Sequence, residues 1–459
     1  MSLPRLLLAS LLLAAPALHA AEQCDLDCLL CPGLADPVHY GEGIMKSMKY
    51  VAPGKDTWLF RSEVDLSNDF GIPPAMRPQF KRLMDAFHAR GTQVVIAVQP
   101  TRGIMHRDKV RADSAYGFDF TTARRNLASF LDQLRAGGAV VPDILPLVDS
   151  PPEQDYFFRR DHHWTPAGAM HTARMVADSI RQQPFYADLS KKQYRTEPGV
   201  MVPKDGTMSR ALKKICGNNY GFQYARGFQT VPAGDDLGAL FDEQSSQEVV
   251  LVGTSNSAAR DDDTKNYNFD GYLKEYLSVD ILNVALPGAG QEGALLNYLQ
   301  SPDYTPDAPP KLIIWELPAS FRLEDPLMYR QLLPAIAGGC AKGQVLGERK
   351  SELPALPRGQ RFELLSNGGA QRLDLRGKPG FLDIKLADKN LKDFYVIVYY
   401  DNGQRDKQWY RREAIVAGGQ YYLELSQDAA YRDANLLSVF IEPTEDLAAP
   451  VAVETRLCL

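Results

Sequence analysis

An α/β fold built on a parallel sheet with helices on both faces, followed by a small all-β sandwich, is what this 459-residue sequence predicts. Two observations carry that prediction. Residues 55–335 alternate short apolar runs with stretches of helical periodicity, the pattern of strand–helix–strand units in a covered parallel sheet. Residues 360–445 instead hold short β-rich runs separated by turn residues, with no convincing helix, as in a small antiparallel sandwich.

The first twenty residues precede the fold. Arg5 is followed by an apolar core over 6–15, a break at Pro16 and the segment Ala17-Leu18-His19-Ala20. This reads as a secretory signal peptide cleaved after Ala20, because the core is too short to span a bilayer. Removing it deletes Arg5 and takes the formal charge from −6 to −7. No basic domain stands out, so nucleic acid is not expected as a partner.

Within the α/β part, a helix over 76–90 leads into a buried strand over 93–98, which stops at Gln99-Pro100. A helix over 120–134 and a short strand over 143–147 follow. Thr165-Pro166 opens a helix that runs through 180, with Thr as N-cap and Pro in the first helical position. Residues 185–245 are irregular, rich in Gly, Lys and Tyr, and read as an excursion over the sheet. Strands over 249–252, 281–285 and 311–315 and a helix over 291–300 complete this part. In the tail, strands are expected over 381–386, 394–400, 421–425 and 437–441, with Asp401-Asn402-Gly403 as a turn. The expected domain limits are 1–20, 21–338 and 339–459.

Two segments carry chemistry. Gly253-Thr254-Ser255 comes straight after the apolar run 249–252. In open parallel sheets, ligands bind beyond the carboxyl ends of the strands, so Ser255 is placed as a nucleophile. Taken alone, such a turn more often just caps a helix. The second segment, Asp161-His162-His163-Trp164, weighs against that reading. Only six histidines remain after Ala20, and two stand together here, before a capped helix. His163 would take the serine's proton and Asp161 would orient the imidazole. Adjacent side chains should point apart, which leaves His162 a supporting role. The alternatives are a hydrogen-bonded loop pair or a metal site. The latter lacks a second cluster of ligands, since Asp261-Asp262-Asp263 reads as a solvated acidic turn. No metal and no cofactor are expected.

Gly288-Ala289-Gly290-Gln291-Glu292-Gly293, with Glu316 at the end of the next strand, approaches a dinucleotide fingerprint. Export, Pro287 in the turn and the late position in the domain argue against that use. Gly288 and Gly290 are better read as permitting close backbone approach to a substrate, one amide serving an oxyanion. In the tail, Arg405, Lys407, Trp409, Arg411 and Arg412 combine cations with an aromatic face, which suits an acidic polysaccharide. The competing reading is a strand edge protected by charge.

Six cysteines remain after Ala20, and six allow fifteen pairings. Position hints at a bridge between Cys340 and Cys458, which bracket the tail, and at another between Cys31 and Cys216. Cys24, Cys28 and Cys31 also have a faintly metal-like spacing, with no histidine nearby.

The signal segment, Asp161-His162-His163-Trp164, Gly253-Thr254-Ser255 and the β-rich tail together resemble the AlgX/AlgJ family of alginate O-acetyltransferases, which is similar to SGNH hydrolases. The likeness extends over nearly the whole chain after the signal segment. It implies an SGNH-like catalytic domain followed by a carbohydrate-binding module. It puts the nucleophile on Ser255, the base on His163 and the acid on Asp161. It implies bridges Cys31–Cys216 and Cys340–Cys458, with no counterpart for Cys24 and Cys28. Thr254 stands where SGNH enzymes usually have Asp, and the acid–base spacing is D-x-H instead of D-x-x-H. The implied activity is periplasmic O-acetylation of mannuronate residues in alginate. The implied partners are the polymer, an unidentified acetyl donor and other periplasmic and outer-membrane proteins of a secretion complex. A secreted esterase or a non-catalytic alginate-binding scaffold would share much of this sequence pattern.

Overall fold

The structure, a computed structural model, describes residues 29–218, 220–233, 247–369, 372–425 and 428–459. The signal segment, Cys24 and Cys28 lie outside the described residues.

The chain enters through an arm whose antiparallel hairpin pairs β1 (Val51–Pro53) with β2 (Leu59–Arg61). The helix Arg77–His88 follows and buries Phe80, Leu83, Met84 and Phe87, one face at helical spacing. It leads into β3 (Gln93–Gln99). The helix Phe120–Ala136 is capped by Asp119, which accepts from the Thr122 amide. The helix Pro166–Arg181 is capped by Thr165, which accepts from the Gly168 amide. Gly168 is fixed by space: a Cβ there would lie 2.2 Å from the Tyr156 carbonyl oxygen.

Residues expected to be irregular form an antiparallel ribbon of β4 (Tyr194–Lys204) and β5 (Gln223–Pro232), with the helix Thr207–Cys216 between them. Then come β6 (Val249–Val252), the helix Phe269–Leu277, β7 (Leu282–Asn283), the helix Gly293–Leu299 and β8 (Leu312–Pro318). The central sheet has the order β3-β8-β6-β7 and all its pairs are parallel. Every residue of β6 is buried, because helices cover both faces. The strand expected over 143–147 is instead part of a short helix, Leu145–Asp149. Pro146 sits in its first turn and the Asp143 side chain accepts from the Leu145 amide.

After the helix Pro326–Ala337 the chain becomes antiparallel β. The strands are β9 (Val345–Leu353), β10 (Phe362–Ser366), β11 (Phe381–Leu386), β12 (Asp393–Tyr400), β13 (Arg405–Arg411), β14 (Gln420–Glu424), β15 (Leu436–Pro443) and β16 (Val451–Cys458). They form two four-stranded sheets, ordered β10-β15-β12-β13 and β14-β11-β16-β9. Their inner faces share one core that includes Leu382, Ile384, Val396, Val398, Leu423, Val439 and Ile441. β9, β10 and β16 were not expected from the sequence, nor was the one-turn helix Ala429–Arg432.

Two disulfides fasten this plan. Cys340–Cys458 closes the sandwich end to end, and Cys31–Cys216 ties the N-terminal arm to the end of the helix Thr207–Cys216. The sandwich docks on the α/β part through buried polar contacts. Arg330 donates to Asp406 at 2.6 Å and to the Glu424 carbonyl at 2.7 Å, and Arg82 pairs with the Glu424 carboxylate at 2.5 Å. Among the described residues no helix is long and apolar enough to cross a membrane.

Candidate active site

The serine sits where β6 ends. At Gly253 a Cβ would fall 2.7 Å from Glu316 Oε2, so only glycine lets the chain pass over β8. Glu316 is fully buried. Its Oε2 accepts from the Thr254 amide at 2.7 Å, the Thr254 hydroxyl at 2.9 Å and the Ser257 hydroxyl at 3.1 Å. Burial pushes this carboxyl up, against those hydrogen bonds. The amides of Ser257 and Ala258 both donate to the Thr254 carbonyl, closing a tight turn around Ser255. The carboxyl noted beside the near-dinucleotide fingerprint is therefore a brace beneath the serine turn.

The histidine loop is held from two sides. Trp164 donates its indole N–H to the Asn256 carbonyl at 2.9 Å and its amide to Asn256 Oδ1 at 3.3 Å, tying this loop to the serine turn. Arg102, also buried, donates to the carbonyls of Leu59, Phe158, Arg159 and Asp161 and pairs with Asp65 at 3.2 Å. With the loops fixed, Ser255 Oγ lies 2.8 Å from His163 Nε2, and His163 Nδ1 lies 2.5 Å from Asp161 Oδ1. Asp161 Oδ1 also accepts from the His163 amide at 3.0 Å, and Oδ2 from the Thr207 amide at 2.8 Å.

The charges suit proton transfer. Burial pushes the Asp161 carboxyl up, but the adjacent His163 ring and its hydrogen bond, with His162 and Lys204 behind, hold it well below the usual carboxylate range. Burial also lowers His163, against the pull of Asp161, and the net shift is downward. His163 is therefore a neutral imidazole at neutral pH, able to accept a proton at Nε2.

His162 does not diverge from its neighbour as expected. The two rings lie with centroids 3.8 Å apart, tilted by 38°, and His162 Nδ1 meets Thr207 Oγ1 at 2.9 Å. Asp161, His162 and His163 bring their ligand atoms within 4.8 Å of one another. Both His163 nitrogens are already engaged, by Asp161 and by Ser255, so the cluster fits a proton relay better than a metal.

Gly288 and Gly290 take φ of +75° and +74°, which glycine adopts freely. They line a cavity of about 650 Å³ together with Ser255, Asn256 and His162. Lys46, Lys49, Arg61 and Arg322 also line it, as do Glu63 and Asp69, and Lys49 pairs with Glu63 at 2.9 Å. The same glycine turn lines a second cleft, between the α/β part and the sandwich, whose far wall carries Trp409 and Arg411.

The tail residues fall into two groups. Arg405, Lys407, Trp409 and Arg411 alternate on one face of β13. Trp409 is 47% exposed and its indole N–H donates to Asp393. Lys407 pairs with Glu442 at 2.7 Å over the Tyr395 ring, and Arg411 pairs with Glu413. Arg412 departs from its neighbours. It lines that second cleft but is buried between the two parts of the molecule, donating to Gln331 and to the Gln420 carbonyl. Sequence reasoning missed Lys204, Thr207, Asn256 and Arg102. Only Asn256, beside the serine, carried a positional signal.

A family described as "SGNH hydrolase-like domain, acetyltransferase AlgX" matches residues 51–319, and one described as a C-terminal carbohydrate-binding module matches residues 339–459. The alginate biosynthesis protein AlgX of Azotobacter vinelandii is 36% identical over 442 residues, covering 96% of this chain and 89% of that protein. The chain belongs to the AlgX family. AlgX of Pseudomonas aeruginosa is 33% identical over 431 residues. A solved structure of P. aeruginosa AlgX superposes with a TM-score of 0.81 at 32% identity, covering 94% of this chain and 99% of that one. The probable alginate O-acetylase AlgJ of P. aeruginosa is 27% identical over 294 residues, 59% of this chain and 70% of that protein. The AlgX fold thus combines an SGNH-like α/β part with a carbohydrate-binding β-sandwich, in a family of alginate biosynthesis proteins.

Proposed function

We propose that this AlgX-family chain is a periplasmic O-acetyltransferase that moves acetyl groups onto mannuronate residues of alginate through an acetyl-Ser255 intermediate. The observation that carries the proposal is the continuous relay Ser255–His163–Asp161, with contacts of 2.8 and 2.5 Å.

In the first half-reaction His163 Nε2 takes the Ser255 proton as Oγ attacks the carbonyl carbon of an acetyl donor. Backbone amides at Ser255 and in the turn holding Gly288 and Gly290 face the developing oxyanion, and Asp161 steadies the imidazolium. The donor's leaving group departs with the proton from His163. In the second half-reaction a sugar hydroxyl gives its proton to His163 and attacks the acetyl carbon. Collapse returns the proton to Ser255 Oγ. Neither half requires a metal or cofactor.

The acceptor reading draws on the relatives' names and on the surface. Lysines and arginines line the serine cavity alongside two carboxylates, and those cations offer partners for uronate carboxylates. The glycine turn common to both clefts makes one route from Trp409 to Ser255, so a chain gripped by the sandwich could present a hydroxyl to the serine. The signal segment and two disulfides support export. The functional division proposed is 1–20 as signal, 21–338 as catalytic part and 339–459 as polymer-binding part. Other proteins of an alginate secretion complex are proposed partners.

The test is acetyl transfer from a chromogenic acetyl ester to polymannuronate oligomers, read by mass spectrometry. Acetylated oligomers are expected with the wild type and none with Ser255→Ala. Release of acetate to water with no acetylated sugar would replace the proposal with an esterase. Unchanged alginate acetylation in cells carrying Ser255→Ala would leave only a scaffold.

A further inference from the structure

We infer that Lys204 is a positioning residue for the proposed transfer: its ammonium, carried in at the end of β4, keeps Asp161 an ionised acceptor and His163 a neutral base. The inference rests on the Ser255–His163–Asp161 reading of the site.

Lys204 is the last residue of β4 and is buried. Its Nζ donates to the Tyr267 hydroxyl at 2.5 Å and to the Thr264 carbonyl at 3.0 Å. Both are neutral acceptors. The carboxylate within ion-pair distance, among the described residues, is Asp161, with Oδ1 at 3.8 Å. A buried ammonium is costly unless a counter-charge faces it. The rings of Phe158 and Tyr267 lie under the ammonium, 5.3 and 4.9 Å from Nζ to centroid, and exclude water from one side.

The approach is built into the backbone. Two residues later, a Cβ on Gly206 would lie 2.0 Å from the Arg160 carbonyl oxygen, so glycine alone lets this segment press against the Asp161 loop. One residue beyond, the Thr207 amide binds Asp161 Oδ2. A single strand-to-helix corner thus brings a cation to one carboxylate oxygen and an N–H to the other. Both Asp161 carboxylate oxygens already accept hydrogen bonds without Lys204. The ammonium adds charge, and charge acts on the protonation of the pair.

The charged groups that face this cluster come from several elements. His163 feels Asp161 and Lys204, with Arg61 farther off and His162 alongside. Lys204 feels Asp161, with Arg210, Asp262 and Lys265 beyond. The side chains of those last three are about half exposed, where solvent and salt screen them. Arg102 is buried as well and Arg61 nearly so, but both pair with Asp65. Lys204 is the cation whose ion-pair partner is Asp161, and its removal should make the His163 imidazolium easier to form.

The experiment follows the reaction of Ser255 with a fluorophosphonate as a function of pH in the full-length mature chain. This needs neither alginate nor an acetyl donor. Lys204→Met and Lys204→Gln should move the acid limb of the rate profile upward by about one pH unit, while Lys204→Arg should leave it near the wild-type position. A limb unmoved in both neutral variants overturns the inference even if the rates fall, and so does an equal shift in Lys204→Arg. If the neutral variants do not fold, the same coupling is read from its other side, by titrating the Lys204 ammonium by NMR in Ser255→Ala protein with and without Asp161→Asn. A midpoint that falls when the carboxylate is removed supports the inference, and an unmoved one overturns it. An unreactive Ser255 in the wild type would overturn the relay reading and this inference together. A reactive wild type with an unmoved limb overturns this inference alone.

Discussion

Glu316 Oε2 accepts both the backbone amide and the side-chain hydroxyl of Thr254, at 2.7 and 2.9 Å. A carboxyl on one strand of the sheet thereby fixes the turn that ends its neighbour and carries Ser255. Glu316→Ala leaves those donors and the Ser257 hydroxyl buried without an acceptor, a loss on the order of 2–4 kcal/mol. Glu316→Gln keeps an acceptor on the same stem. Thermal denaturation and ester turnover should show a large loss in the alanine variant and a small one in the glutamine variant.

The proposed base sets the pH profile. Burial and the other influences on His163 leave it below its ordinary value of 6.5. The neutral form therefore persists into mildly acidic solution. Turnover of a small acetyl ester should stay level as pH falls through 6.5 and decline only below it. An acid limb centred above that value would contradict the charge arrangement described for the pair.

Stability should follow pH in two windows. His106 and His162 are both held well below 6.5, chiefly by burial. Unfolded histidines take up protons near 6.5 while these do not, so stability is full above that value and falls as pH drops through it toward the folded values. Asp161 is held well below 3.8 when folded. Its contribution is present above 3.8 and is lost at lower pH. A melting temperature followed against pH should begin to fall near 6.5 and drop again below about 4.

Two arginines and a tryptophan on one hairpin should part company on mutation. Trp409→Ala removes an exposed ring from the cleft wall and should weaken binding of mannuronate oligomers by about tenfold, on the order of 1–2 kcal/mol, with turnover of a small ester unchanged. Arg411→Ala should act in the same direction, more weakly. Arg412→Ala should instead lower the melting temperature, because it leaves buried acceptors between the two parts of the molecule unpaired, at about 1–3 kcal/mol. Calorimetry and oligomer binding separate the two outcomes.

Gly290→Ala forces an L-residue into φ of +74° at the cavity wall, with open space around the new Cβ. The cost to stability should be about 1 kcal/mol, while transfer to the sugar falls further than that, because the turn's amides change direction. A variant with unchanged transfer would remove this turn from the oxyanion reading.

Legibility of the sequence followed physical scale. The buried parallel strands are continuous apolar runs, so β3, β6 and β8 could be placed before any coordinates. The Thr165-Pro166 start and the helix after it were equally plain. The run at 143–147 misled because an apolar stretch with proline fits a strand end or a helix start, and tertiary packing chose the helix. The ribbon of β4 and β5 was hidden because its faces are largely exposed and carry no regular alternation. Its concealment also hid Lys204 and Thr207, whose approach to Asp161 depends on a corner permitted by Gly206. Juxtaposition of Asp161, His163 and Ser255 could be expected from residue type and position. The bracing carboxyl of Glu316 was visible only as part of a near-fingerprint that the sequence argued against, and its bracing role depends on the fold. Arg412 looked like its neighbours on the hairpin, and only the docking of the sandwich shows that it faces inward.

The helix Thr207–Cys216 begins at the amide that grips Asp161 Oδ2 and ends at the cystine to Cys31. Ten residues thus couple a covalent staple on the arm to the carboxylate at the rear of the relay. A chain whose thiols stay reduced holds that helix by packing and by the hydrogen bonds at its start, so oxidative maturation adds the covalent tie at its far end.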